Sequence, residues 1–158
     1  MICRGLLLIA AALVLAVALG AQAGEPLLGV WNVDVFKSEY LTSQPPVRRV
    51  INFEARGDSL HFTQETTNQG FNISETVKVE FTAKLDGKDY PIMNSGLDTV
   101  ALKKVDATTY QRIGKIKGMQ TEMATMKLSN RNRTLTISTK GTTDAGATYE
   151  RTEVFNKQ

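Results

Sequence analysis

The chain has 158 residues, 22% of them charged, with 19 Lys and Arg against 16 Asp and Glu and a formal charge of +3. That length suits one domain with one core, and so small and scattered a basic excess argues against a nucleic-acid partner. A single Cys (Cys3) and a single His (His61) exclude a disulfide framework and zinc centres built from several Cys or His, so no metal or other cofactor is expected.

Residues 1–4 form a short positive head carrying Arg4, residues 5–20 an apolar run, and Ala21-Gln22-Ala23 a small-x-small cleavage signature. This is the pattern of an export signal, removed after Ala23. The apolar run is shorter than the roughly 20 residues of a spanning helix and has no basic stop-transfer cluster after it. The expectation is a periplasmic or extracellular domain, residues 24–158, with a net charge of +2, no thiol and no membrane span. Lack of a thiol suits an oxidising compartment.

From there short alternating segments recur about every ten residues, separated by Gly, Asn or Asp turns, as in a sandwich or barrel. Residues 29–35 place Trp31, Val33 and Val35 on one face. Residues 36–42 break the alternation and read as a helical turn, stopped by Pro45-Pro46. Val47, Ile51, Phe53 and Ala55 share the next inner face, Arg56-Gly57-Asp58 turns the chain, and Leu60 and Phe62 face inward after it. Asn68-Gln69-Gly70 is a second turn. Phe71, Ile73, Val77, Val79, Phe81 and Ala83 then alternate with polar residues. Asp86-Gly87 is a hairpin signal, and Pro91 gives residues 90–92 an edge-like character. Segments 99–104, 108–116, 119–128, 133–140 and 147–155 complete about ten strands, with turns at Lys117-Gly118, Asn130-Arg131-Asn132 and Asp144-Ala145-Gly146. Sequential hairpins with one apolar face favour an antiparallel up-and-down β-barrel of about 8–10 strands over a two-sheet sandwich, because closure leaves no exposed edge.

Some polar residues fall in register with the apolar face: Arg49, Gln64, Glu75, Arg112 and Arg151. Buried charges need partners, water or a ligand. Inward arginines in a small barrel suit a carboxylate or phosphate head, with Phe53, Phe62, Phe81, Tyr110 and Tyr149 around the rest of the molecule. A role for an Arg paired with Glu75 in plain structural support is the alternative. Met119, Met123 and Met126 read as core filling or an adaptable lining. The Thr-rich later strands look too small to fill a barrel, which favours a hollow one. His61 falls on the polar face. No nucleophile elbow, phosphate loop or Cys nucleophile is present, so no enzyme activity is expected. Asn72-Ile73-Ser74 and Asn132-Arg133-Thr134 match glycosylation acceptors.

Gly29-Val30-Trp31 near the start of the exported portion resembles the G-x-W motif of lipocalins. Leu85-Asp86-Gly87-Lys88-Asp89-Tyr90-Pro91 and Tyr149-Glu150-Arg151 are similar to segments of small secreted bacterial lipocalin-like proteins with no assigned activity. The resemblance implies a calycin barrel with Gly29 and Trp31 at its closed end and Arg151 packed across the indole. The lipocalin Thr-Asp-Tyr motif is only half imitated by Thr108-Thr109-Tyr110, and no lipocalin C-terminal helix follows the last strand. Ten short strands are also similar to fatty-acid-binding proteins, whose last strand holds a carboxylate with an Arg-x-Tyr pair; here the order is Tyr149-x-Arg151. The expected function is binding of a small amphipathic or anionic, fatty-acid-like ligand inside the barrel. The alternative is an envelope or extracellular interaction protein whose barrel is filled by side chains.

Overall fold

The computed structural model describes residues 24–70, 73–143 and 145–158. Residues 1–23, expected to be an export signal, and Phe71, Asn72 and the Asp144 of the last turn lie outside the described residues. Ten strands follow one another: β1 Gly29–Tyr40, β2 Arg48–Arg56, β3 Ser59–Gln69, β4 Ser74–Ala83, β5 Asp86–Met93, β6 Thr99–Lys104, β7 Thr109–Ile116, β8 Met119–Ser129, β9 Thr134–Thr142 and β10 Thr148–Lys157. Each pairs antiparallel with its sequence neighbours, and β1 pairs with β10, so the sheet closes into an up-and-down barrel. Tight turns make this possible. Lys117 and Gly118 both take positive φ, 50° and 76°, the left-handed pair whose twist matches that of a hairpin.

One half of the barrel is solid. Phe53, Phe62 and Phe81 stand side by side on β2, β3 and β4 and are each nearly fully buried. Phe62 stacks on Phe81 with centroids 4.6 Å apart and meets Phe53 edge-on at 5.2 Å, contacts worth about 0.5–1.5 kcal/mol each beyond burial. Across the barrel Val100, Leu102, Met126, Leu128, Leu135, Ile137 and Phe155 complete the core.

The segment before β1 plugs this end. Leu27 is buried and its carbonyl accepts a 2.8 Å hydrogen bond from the Trp31 indole Nε1. Glu25 turns inward, where it accepts a hydrogen bond from the Tyr110 hydroxyl and pairs with Lys104 at 2.9 Å. The cation over the indole is Lys157, not Arg151. Trp31 is in register with Lys157 and Tyr40 with Arg151, so Arg151 lies six residues along the strand from the closed end, about 20 Å at strand spacing. The Lys157 Nζ sits 4.9 Å from the indole centroid and donates to the Pro26 carbonyl at 3.0 Å. Gly29, at φ 119°, makes room for that lysine stem, since a Cβ there would lie 2.9 Å from Lys157 Cε.

Other expectations are corrected. Residues 36–40 are extended, not helical, because β1 continues through an irregularity between Asp34 and Glu39 and stays paired to β10. Ile73 and Glu75, expected to face inward, are exposed where β4 begins. Tyr90-Pro91-Ile92 is no edge: β5 pairs on both sides, although with β4 only through Glu80↔Met93 and Phe81↔Ile92. The threonines of β9 and β10 are mostly on the outer alternation, with Thr139 the buried exception among them. They therefore say nothing about how full the interior is.

Candidate functional site

Away from the plug the interior turns polar. One row of cross-strand neighbours runs Arg112, Ala124, Thr139, Arg151 and Tyr40, from β7 round to β1. The next row toward the open end runs Gly114, Glu122, Gly141 and Tyr149. The side-chain period of two puts both rows inside.

The arginines of this polar half are paired by two carboxylates that were not among the residues expected to face inward. Arg112 Nη2 donates to Glu122 Oε1 at 2.6 Å, and the Tyr149 hydroxyl donates to Glu122 Oε2 at 2.7 Å. Arg49 pairs with Glu153 Oε1, Arg151 Nε lies 3.3 Å from Glu153 Oε2, and the Tyr40 hydroxyl donates to the same carboxylate at 3.0 Å. Glu75, the partner expected for an inward Arg, takes no part. Glu122 and Glu153 are legible in hindsight, as Glu122-x-Ala124-x-Met126-x-Leu128 and Tyr149-x-Arg151-x-Glu153-x-Phe155.

Burial by itself would push the Glu122 carboxyl up. The Arg112 guanidinium, the Tyr149 hydroxyl and the Arg151 charge outweigh it and hold Glu122 below the usual carboxylate range. Tyr149 is pushed well up by burial and by the Glu122 carboxylate, and Tyr40 is raised to about 12 by burial and Glu153. Both hydroxyls are therefore fixed donors at neutral pH.

Two glycines shape the outer row. The Tyr149 ring lies flat across Gly141: a Cβ at that glycine would be 2.7 Å from Tyr149 Cε1 and closer still to Cζ and Oη. Leu97, from the β5–β6 loop, packs over Gly114 in the same way, 3.1 Å from a Cβ there to its Cδ2. Gly141 is what lets the phenol reach across β9 to Glu122.

Three hollows of about 540, 430 and 290 Å³ open around this row. The largest is lined from inside by Glu122, Gly141 and Tyr149 and reaches Leu41 and Met123 at the rim. Behind the Glu122–Tyr149 pair, Arg112 Nε and Thr139 Oγ1 are buried without a hydrogen-bond partner.

The expected site residues divide accordingly. Arg49, Arg112, Arg151 and Tyr149 come together at the polar end through Glu122 and Glu153, but of these four only Tyr149 lines a described hollow. Gln64 faces inward and donates to Thr66 Oγ1 at 3.3 Å, beside the Arg49 Nε contact to the same hydroxyl at 3.0 Å. Phe53, Phe62 and Phe81 pack the solid half, and Tyr110 is fully buried under Glu25, so none of these four lines the described hollows. Met126 is in the core, whereas Met119 and Met123 are outside. His61 sits on the outer face with Nδ1 2.9 Å from Thr82 Oγ1.

No family model matches the sequence, and no curated protein matches it. Solved structures do. The chain is similar to Rv2717c from M. tuberculosis, with a TM-score of 0.57 at 15% identity over 87% of this chain and 96% of that one. It is also similar to zebrafish ileal bile acid-binding protein in complex with cholic acid, with a TM-score of 0.52 at 13% identity over 84% and 99%. Together with ten antiparallel strands closed in chain order, these likenesses give the chain the lipocalin-like, or calycin, β-barrel fold.

Proposed function

We propose that this protein is an exported, non-enzymatic carrier that takes a small amphipathic or anionic ligand, fatty-acid-like in character, into the polar half of the barrel. One observation carries the reading. The polar half of the barrel holds three guanidinium groups, Arg49, Arg112 and Arg151, against two carboxylates, Glu122 and Glu153. One positive charge is left over, with the Arg112 Nε–H and the Thr139 hydroxyl still unpaired; these groups line no described hollow themselves, but Glu122, which Arg112 holds, and its partner Tyr149 line one of about 540 Å³. Buried polar groups of this kind are nearly always satisfied, and a singly charged anionic head supplies both the charge and the acceptors. The calycin fold is consistent with it: the zebrafish barrel of similar fold is complexed with cholic acid, itself an amphipathic carboxylic acid.

The test is solvent extraction of natively purified protein, with mass spectrometry of the extract and titration with a panel of fatty acids and neutral analogues. A co-purified amphipathic acid, or micromolar binding of acids in preference to neutral analogues, is the expected result. Ligand-free protein that ignores the whole panel would overturn the carrier reading in favour of a barrel used only through its outer surface.

A further inference from the structure

The β8–β9 seam, paired without a break from Ser129↔Thr134 inward, comes apart at its rim end. The registered pairing ends at Glu122↔Gly141, although β8 begins three residues earlier at Met119 and β9 runs on to Thr142. β9 keeps company with β10 as far as Thr142↔Thr148, so it is β8 that departs. The cause is a one-residue irregularity: Gly114 faces Glu122 but Lys115 faces Gln120, leaving Thr121 as the extra residue. An inserted residue of this kind bends its strand and ends local pairing. The Thr121 hydroxyl is buried there with no partner.

All three hollows share Thr121 and Thr142. One reaches inward to Leu97, Glu122 and Tyr149. Another emerges beside Ile116, Lys117 and Met119. The largest takes in side chains of both surfaces, Glu122 and Tyr149 from the inner face and Met123 and Lys140 from the outer. Leu41, Met119 and Met123 stand exposed around the outer opening, with Leu41 69% and Met119 66% accessible. Single exposed apolar residues are ordinary, but Leu41 and Met123 on one hollow and Met119 on its neighbour, with Thr121 and Thr142 common to both, suit an apolar chain on its way in.

We propose that this parting is a lateral portal: ligand passes through the wall between β8 and β9, past Thr121 and Thr142, with the Tyr149–Glu122 hydrogen bond as its inner latch. The proposal rests on the carrier reading and adds its route. It makes Thr121 and Thr142, with Met119 outside them, determinants of how fast a ligand enters and leaves.

The experiment uses the Thr121→Cys/Thr142→Cys double variant, loaded with the fluorescent amphipathic anion 1-anilinonaphthalene-8-sulfonate. The cysteines are then bridged with a reducible bis-methanethiosulfonate. Release is followed by fluorescence after dilution, with each single-Cys variant capped by methyl methanethiosulfonate as the control for added bulk. The expected result is release slowed at least tenfold on bridging relative to both capped controls, with the original rate restored by reductant. Unchanged release from the bridged protein would overturn the portal while leaving the carrier reading intact. A parent protein that binds neither this probe nor any acid of the extraction panel would overturn the carrier reading itself.

Discussion

The Gly141→Ala substitution isolates the geometry of the polar rows. The added methyl would stand 2.7 Å from Tyr149 Cε1 and closer to Cζ and Oη. The phenol must therefore swing away by an ångström or more, taking its hydroxyl off Glu122 Oε2. Overpacking costs about 1–3 kcal/mol, and a hydrogen bond to a charged acceptor is worth about 1.5–3 kcal/mol. Because the swing relieves part of the overlap, the two do not add in full, and a loss of about 2–4 kcal/mol is expected. In a Tyr149→Ala background there is no ring to displace and no hydroxyl to lose. Gly141 has no positive φ, so Ala fits its backbone, and Ala in a strand interior is about 0.5–1 kcal/mol better than Gly. The same substitution should then be neutral or slightly stabilising. Equilibrium urea unfolding of the four proteins, with the m-values checked for constancy, gives the coupling directly. An equal loss in both backgrounds would refute the claim that Gly141 exists for the Tyr149 ring.

Arg112→Met should destabilise by about 3–5 kcal/mol because it strands the buried Glu122 carboxylate, whereas Arg112→Met combined with Glu122→Leu should recover most of that loss; thermal or urea unfolding of both decides it. Glu122 is depressed below its ordinary 4.5, so the stability it contributes is fully present above pH 4.5 and is lost as pH falls through the lower folded value. Urea midpoints measured from pH 7 to pH 3 should therefore fall less steeply in Glu122→Gln than in the parent. Tyr40 is raised from 10.0 to about 12, so its contribution is whole below pH 10 and disappears as pH climbs through about 12; Tyr40→Phe should flatten the alkaline limb of the same measurement. Trp31 is the one tryptophan in the chain, so its emission reports the closed end: Lys157→Met should shift or brighten it, and Arg151→Met should leave it alone. Movement of the emission with Arg151→Met alone would contradict the register of β1 on β10.

Barrel architecture was legible because it depends on local rules. The period-two runs through Phe53, Phe62 and Phe81, and the Asp86-Gly87 and Lys117-Gly118 turns, each act within one hairpin, and hairpins joined in series have few ways to bury one face. Inward Arg49, Arg112 and Arg151 were legible for the same reason, since each keeps step with apolar neighbours on its own strand. Ile73 failed that test at the β4 start, where the strand leaves the barrel's packed half, and residues 36–40 failed it because pairing to β10 holds them extended against their broken alternation.

What stayed hidden was everything set by closure. Whether Lys157 or Arg151 lies over Trp31 depends on the stagger between the first and last strands, and no local signal records it. The pairing of Arg49 with Glu153 joins β2 to β10 and carries no meaning until the sheet is closed, while that of Arg112 with Glu122 is fixed by the register of the β7–β8 hairpin. Gly141 looks like any strand glycine until Tyr149 is laid over it. The amino-acid order thus determined which residues face inward, because side-chain alternation is a property of a single strand. The tertiary structure alone decided which of those residues meet, because that is a property of tilt and register around the whole closed wall.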